Sequence, residues 1–186
     1  MSVYRVALVV GSLRKDSINR KLAGALAKLA PRELELQQLR IDDLPLYNQD
    51  DDPAPHPSVR RLKSEIEASQ ALLFVTPEYN RSIPGVLKNA IDHASRPYGQ
   101  NSWAGKPAGV LGASIGATGS ALSQQHLRNV LAYLDVPTLG QPEVFLRIGE
   151  GFFDAQGAIA NAGTRDFLAG FIERYVAWVR RHAVPA

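Results

Sequence analysis

The sequence predicts an α/β fold, a doubly wound open sheet of five parallel strands with helices on both faces. Strand-like apolar runs alternate with segments of helical periodicity along the whole chain. Three of these runs, Tyr4–Val10, Ala71–Thr76 and Pro107–Leu111, are apolar with almost no alternation, which is typical of strands covered on both faces. Strand–helix–strand units take right-handed crossovers, so the sheet is expected to be mostly parallel.

The first half of the chain adds two helices, an edge strand and a long loop. Apolar residues recur every three or four positions between Ser17 and Pro31, which indicates a helix. Alternation over residues 33–37 predicts a short strand with one polar face, as at a sheet edge. Residues 41–57 contain four prolines and five aspartates and are predicted to form a loop. A second helix follows, for which Ser58 is a candidate N-cap.

The second half continues the same alternation. Helical spacing over residues 86–94 and 127–134 predicts two helices, the second of which follows a stretch of small residues at 112–120. A weak last strand is expected within 136–146, where two prolines and a glycine interrupt the run. The apolar positions from Phe167 to Val179 predict a strong amphipathic helix.

Length and composition narrow the function classes. The length of 186 residues suits one domain, which we expect to span 1–186. The formal net charge of +3 comes without a basic tract, so no nucleic-acid partner is predicted. Cysteine is absent, which excludes thiolate chemistry and cysteine-bound metals, and the histidines show no metal-ligand spacing. No apolar run approaches the roughly 18–20 residues of a membrane span, and no cleavable signal is recognised. We therefore expect a cytoplasmic protein without a membrane partner.

Ligands of open parallel sheets bind beyond the carboxyl ends of the strands, and the first candidate loop there follows Val10. It carries the hydroxyls of Ser12 and Ser17, the Arg14 guanidinium and the Asn19 amide beside a helix N-terminus. Together these groups form a donor set suited to a phosphate, although neither G-x-G-x-x-G nor Walker A matches. The alternative is that Ser17 is only an N-cap and Arg14 a solvated charge.

The second candidate loop begins at Thr76. Pro77 stiffens the turn, Tyr79 presents an aromatic face, and nearby backbone amides remain free to bond the edge of a heterocycle. A flavin ring requires such a closed flank and such donors. The alternative is a proline-initiated turn with an exposed tyrosine.

The third candidate loop follows Leu111 and contains a competing motif. Residues 112–116 match G-x-S-x-G, in which Ser114 would be the nucleophile of a serine hydrolase, and His126 and His182 lie downstream. A nucleophile elbow turns directly from strand to helix, whereas here the helix is predicted to begin only near Ser120. The alternative is that small residues let the backbone pass close to a planar ligand.

As a set, these motifs resemble those of the NAD(P)H-dependent FMN reductases of the flavodoxin-like superfamily, and above all the bacterial quinone and chromate reductase branch. The resemblance covers most of the chain in the family's order and implies a flavodoxin-like sheet of strand order 2-1-3-4-5. The matching segments are Gly11-Ser-Leu-Arg-Lys-x-Ser-x-Asn19, Leu44-Pro-Leu-Tyr-Asn48, Thr76-Pro-Glu-Tyr-Asn80, Gly85-x-Leu-Lys-Asn-Ala-Ile-Asp92, Gly105-Lys-Pro107 and His126-Leu-Arg128.

The resemblance implies FMN bound without a covalent bond. The residues that it implies for FMN are Ser12, Arg14, Ser17, Ile18 and Asn19 in the first loop, Pro77, Glu78, Tyr79, Asn80 and Ser82 in the second, and Ser114 in the third. It further implies a ping-pong reaction in which NADPH or NADH gives a hydride to flavin N5 and an acceptor then takes it. The acceptors would be quinones, chromate or other oxidised metals, free flavins, and azo or nitro compounds. No side chain need act as acid or base, so no catalytic residue is predicted.

Relatives in this family assemble as homodimers and often as dimers of dimers, and Arg128 and Glu143 match positions of subunit contact. Two residues depart from the family pattern: Arg81 stands where Tyr is frequent, and His93 stands where Trp is frequent. We hypothesise that Arg81 attracts the 2′-phosphate of NADPH or an anionic acceptor. The alternative function is an electron carrier of the same fold without its own NAD(P)H oxidation, although such carriers dock partners through an acidic surface and this chain is net positive.

Overall fold

The computed structural model describes residues 3–183 as a parallel sheet with helices on both faces. The strands are β1 (Tyr4–Val10), β2 (Leu34–Gln38), β3 (Ala71–Val75), β4 (Ala108–Ser114) and β5 (Phe145–Arg147). The helices are α1 (Ile18–Leu29), α2 (Pro57–Glu67), α3 (Gly85–Ala94), α4 (Ala121–Tyr133) and α5 (Ala162–His182), with a short 3-10 helix at Gln49–Asp51. The strand order is β2-β1-β3-β4-β5, and every neighbouring pair is parallel. The predicted fold class and strand order are therefore confirmed.

The sheet separates two hydrophobic cores. On one face α1 and α5 pack through residues such as Leu26 and Phe171, and on the other face α2, α3 and α4 pack through Leu62, Ile91 and Leu131. All five residues of β3 are buried, because the strand has helices on both sides. The absence of alternation in its sequence follows from this double cover.

Three local predictions need correction. The N-cap of α2 is His56 and not Ser58: Pro57 occupies the first helical position, and the His56 ring accepts a hydrogen bond from the Ser58 N–H. β4 extends to Ser114, beyond the predicted end at Leu111, because its small residues continue to pair. β5 is weak as predicted, with three residues, because prolines and glycine interrupt the run, but it ends at Arg147, one residue beyond the predicted stretch.

Among residues 3–183, no helix is both long enough and apolar enough to cross a bilayer.

Candidate functional site

The carboxyl edge of the sheet brings the three candidate loops into contact. We call residues 11–17 the first loop, 76–84 the second and 115–120 the third. The Gly11 N–H donates to the Val75 carbonyl at 3.0 Å, and the Thr76 N–H donates to the Leu111 carbonyl at 3.0 Å. At Gly112 an added Cβ would lie 2.0 Å from the Thr76 carbonyl oxygen. The edges of β1, β3 and β4 are thus closely packed where the loops leave the sheet.

The first loop offers hydrogen-bond donors at the N-terminus of α1. Ser17 is the N-cap, and its Oγ accepts from the Arg20 N–H at 3.2 Å. The N–H groups of Ile18 and Asn19 have no acceptor within the helix, as in any first turn. The first turn contains no acidic residue, Ser12 is buried and Arg14 is exposed. This arrangement is electrostatically suited to an anion.

The Asn19 side chain was predicted to be a phosphate donor, but it binds the backbone of β4 instead. Its amide nitrogen donates to the Ala113 carbonyl at 2.9 Å, and its amide oxygen accepts from the Ala113 N–H at 2.9 Å. The side chain is fully buried and ties α1 to β4. Its contribution to an anion site would therefore come from the backbone N–H.

The second loop contains a tight two-residue turn. The backbone groups of Tyr79 and Ser82 exchange two hydrogen bonds of 3.0 Å each. Between them, Asn80 and Arg81 have φ values of 51° and 66°, so two successive non-glycine residues are left-handed, as in a type I′ turn. The side chains of Tyr79 and Arg81 are exposed at the tip.

The residues before this turn face α4. The Glu78 carboxylate accepts hydrogen bonds from the Leu122 N–H at 3.0 Å, the Ser123 N–H at 3.3 Å and the Thr118 hydroxyl at 3.2 Å. The Ser123 hydroxyl donates to the Pro77 carbonyl at 2.9 Å. The second loop is therefore bonded to the third loop and to α4 before it reaches its tip.

Sequence reasoning missed the residues that hold this loop. Thr76 donates from its hydroxyl to the Pro77 carbonyl at 2.8 Å, and His126 Nδ1 lies 2.9 Å from the Ser82 hydroxyl. Thr118 and Ser123 belong to the same set. Thr76 and His126 stand in segments that carry the family resemblance, but nothing in the sequence indicates that they hold this loop. Thr118 and Ser123 are hydroxyl residues near the start of an amphipathic helix, a pattern too common to identify a site.

Ser114 does not form a nucleophile elbow. It is the last residue of β4, its hydroxyl lies 3.2 Å from both the carbonyl oxygen and the N–H nitrogen of Gly116, and α4 begins only at Ala121. Among the described residues no histidine or acid lies within hydrogen-bonding distance of this hydroxyl. The geometry therefore gives no support to the serine hydrolase alternative.

Each of the three loops presents one apolar side chain to solvent. Leu13 is 48% exposed, Tyr79 is 49% exposed and Ile115 is 77% exposed. The three loops leave neighbouring strands at the same edge of the sheet, and exposed apolar groups at such an edge typically mark a binding site for an apolar or planar ligand. We call these three side chains the apolar rim. The site thus combines anion donors at α1 with an apolar rim.

Comparison with known proteins decides the family. The family model described as NADPH-dependent FMN reductase matches residues 4–151. The chain belongs to this family. It is therefore an oxidoreductase of the FMN reductase type that works with FMN and a reduced nicotinamide nucleotide.

Individual relatives agree with this assignment. A 2-hydroxy-1,4-benzoquinone reductase from a Burkholderia species is 50% identical over 180 residues, which cover 97% of this chain and 98% of the relative. A quinone reductase from Escherichia coli K12 is 38% identical over 181 residues, 95% of this chain and 96% of the relative. Among solved structures, the flavoenzyme FerB from Paracoccus denitrificans, an NAD(P)H:(acceptor) oxidoreductase, is 48% identical, with a TM-score of 0.94 and coverage of 98% of this chain and all of that chain.

The residues of this FMN reductase fit the cofactor. The N–H and hydroxyl donors of the first loop suit a phosphate, and the apolar rim suits a ring system. Gly112 allows the backbones of β3 and β4 to approach each other closely where the second and third loops leave the sheet. The donor set and the exposed apolar side chains are thus of the kinds that bind a phosphate and a planar ring.

The residues implied for subunit contact lie together on α4 and the segment before β5. Arg128 Nη1 donates to the Leu139 carbonyl at 2.7 Å, while its Nε and Nη2 are buried without a partner among the described residues. Burial lowers the pKa of Arg128, and the nearby charge of Glu143 opposes this effect. Glu143 itself accepts a hydrogen bond from Gln125 at 2.8 Å.

His93 is buried on α3. Its Nε2 lies 2.9 Å from the Pro45 carbonyl, and its ring packs edge-on against Tyr47 with centroids 5.3 Å apart. It joins α3 to the 41–57 loop and lies on none of the three site loops.

Proposed function

We propose that this FMN reductase is an NAD(P)H:quinone oxidoreductase, and that chromate, other oxidised metals, free flavins, and azo or nitro compounds are further acceptors. The observation that carries the proposal is the meeting of anion donors and an apolar rim at one edge of the sheet. The relatives named for benzoquinone and quinone reduction support the choice of acceptor. NADPH or NADH would serve as the donor.

The chain's residues would hold the cofactor by its two ends. The hydroxyls of Ser12 and Ser17, the Arg14 guanidinium and the first N–H groups of α1 would bind the phosphate. Pro77 to Asn80, Ser82 and Ser114 would border the ring, with the rim excluding water from one flank. Bound FMN supplies hydride acceptance and donation at N5, chemistry that no side chain can provide. We propose ping-pong kinetics, in which the oxidised nucleotide leaves before the acceptor binds.

Binding of FMN can be tested separately from activity. The wild-type apoprotein should quench flavin fluorescence on titration with FMN. Arg14→Ala should weaken FMN binding about tenfold, the value of one charge-assisted contact, and should change riboflavin binding little because riboflavin has no phosphate. Arg32→Ala, at the opposite edge of the sheet, removes the same charge and should have no effect. Equal losses for FMN and riboflavin would contradict the proposed phosphate site.

Activity decides between the reductase and the electron carrier. The flavin-loaded protein should lose its absorption near about 450 nm when NADPH is added without air, and benzoquinone should restore it. Initial rates at several quinone concentrations should give parallel double-reciprocal lines if the reaction is ping-pong. A flavin band that NADPH and NADH leave unchanged would instead favour the carrier.

We also propose that residues 1–186 form one FMN-binding domain and that the protein is cytoplasmic. It would assemble as a homodimer or a homotetrameric dimer of dimers, with Arg128 and Glu143 at the contact. Arg128 and Glu143 are both partly exposed, so each keeps some surface that a second copy of the chain could contact. Light scattering of Arg128→Met against wild type should show a smaller assembly, and an unchanged mass would contradict this contact.

A further inference from the structure

The turn that borders the proposed ring has a backbone that needs outside support. Asn80 and Arg81 are both left-handed, and neither is glycine. This region is disfavoured for residues that carry a Cβ, so two such residues in succession are held only where the surroundings fix them. The two hydrogen bonds between Tyr79 and Ser82 close the turn but do not fix its place on the protein.

Helix α4 begins without a cap of its own. Ser120, at the N-cap position, has a φ of 75°, and its side chain accepts no hydrogen bond from a backbone N–H of the first turn. Its Oγ instead accepts from the Gln124 side chain at 2.9 Å. The Glu78 carboxylate supplies the missing acceptor for the N–H groups of Leu122 and Ser123, from 44 residues earlier in the chain. A carboxylate at a helix N-terminus is also favoured by the helix dipole.

The same helix holds the other side of the turn. His126, one turn further along α4, pairs with the Ser82 hydroxyl, and Ser123 pairs with the Pro77 carbonyl. Bonds to α4 therefore lie on both sides of the left-handed residues. Loss of the Glu78 bonds would weaken the hold on the side where the chain enters the turn, which would keep the Ser123–Pro77 bond.

We infer that Glu78 is a positioning residue for the flavin site, which caps α4 and thereby holds the turn 79–82 in its left-handed form. Its carboxylate oxygens are engaged by α4 and Thr118, so its effect on the ring is indirect. The inference rests on the proposed function, since it concerns the affinity of the site for FMN.

A second helix cap provides the matched control. Asn161 caps α5 by accepting from the Thr164 N–H at 2.9 Å, and it lies on none of the three loops. Glu78→Ala and Asn161→Ala should lower the urea midpoint of the apoprotein by similar amounts. Only Glu78→Ala should also weaken FMN binding, about fivefold to tenfold, the equivalent of one lost cap. Glu78→Gln, which keeps one acceptor oxygen, should recover part of the affinity.

The backbone itself gives a readout that needs no flavin. In NMR spectra of the apoprotein, the amide signals of Asn80 and Arg81 should broaden or shift in Glu78→Ala and stay in place in Asn161→Ala. Unchanged signals, or a loss of FMN affinity no greater than in the control, would overturn the inference. If Glu78→Ala does not fold, the same comparison is made with Glu78→Gln. Wild-type apoprotein that binds no FMN would refute the proposed function itself, while the NMR comparison would still test the hold on the turn.

Discussion

Replacement of Gly112 by alanine tests whether the close approach of β3 and β4 is essential to the site. The added Cβ would lie 2.0 Å from the Thr76 carbonyl oxygen and 2.5 Å from Ser120 Oγ. Carbon and oxygen atoms in contact are normally about 3.3 Å apart, so the strands must separate by roughly 1 Å. The φ of Gly112 is not left-handed, so the effect is steric and not one of backbone preference.

The cost follows from the contacts that such a shift breaks. Forcing a methyl group into a packed interior costs about 1–3 kcal/mol. The clash is with backbone, which cannot rotate away as a side chain can, and the Thr76–Leu111 hydrogen bond lies beside it. We therefore expect Gly112→Ala to lower the free energy of unfolding by about 3 kcal/mol, the upper end of that range. FMN affinity should fall with it, because two site loops start at these strands.

Gly24→Ala is the matched control. Gly24 lies on the exposed side of α1, and an added Cβ would have no neighbour within 4 Å. The same chemical change should raise the free energy of unfolding there by about 0.5–1 kcal/mol, because glycine is unfavourable within a helix. Urea unfolding of both apoproteins and FMN titration measure the two effects. A Gly112→Ala protein as stable as wild type, with normal FMN affinity, would refute the argument.

Three further predictions concern charge, a buried bond and pH. Arg81→Ala should raise KM about tenfold for NADPH and little for NADH, while Arg32→Ala changes neither; equal changes for the two nucleotides would contradict a 2′-phosphate contact. Asn19→Ala should cost about 3 kcal/mol in urea unfolding because it leaves two buried groups of Ala113 unpaired, and a loss below about 1 kcal/mol would contradict this. Burial raises the pKa of Tyr175 well above its usual value. The buried neutral phenol therefore stabilises the folded protein fully below about pH 10. Above that pH, the free energy of unfolding of the wild type should fall by up to about 1.4 kcal/mol per pH unit relative to that of Tyr175→Phe, and parallel curves of stability against pH would contradict this.

The sequence predicted the sheet well because its signals are local. Residues Val6–Val10 of β1 and Ala71–Val75 are uniformly apolar because both are covered on two faces, and the edge strand Leu34–Gln38 alternates because one of its faces meets water. Capping was predicted less well. Ser58 has the residue type of a cap, but the helix already begins at Pro57, which favours the first helical position. The residue before it, His56, is therefore the cap.

The site was only partly predictable. The residue types of the first loop indicated an anion site, and Ser17 does cap α1. The pairing of Asn19 with Ala113 joins residues 94 positions apart, and no pattern near Asn19 indicates it. The same holds for His126, whose partner Ser82 lies on another loop. Such contacts depend on how elements distant in the chain are packed.

By itself, the sequence determined the order of strands and helices, the absence of thiol chemistry and the three loops at which a ligand could bind. These features follow from periodicity and composition, which can be read from each segment of the chain without knowledge of its neighbours in space. Only the tertiary structure decided that Glu78 caps α4, that Gly112 must lack a side chain, and that Leu13, Tyr79 and Ile115 are exposed on three loops at the same edge of the sheet. The physical reason is that hydrogen-bond partners and close contacts are properties of pairs, and the chain brings these pairs together only when the sheet has formed.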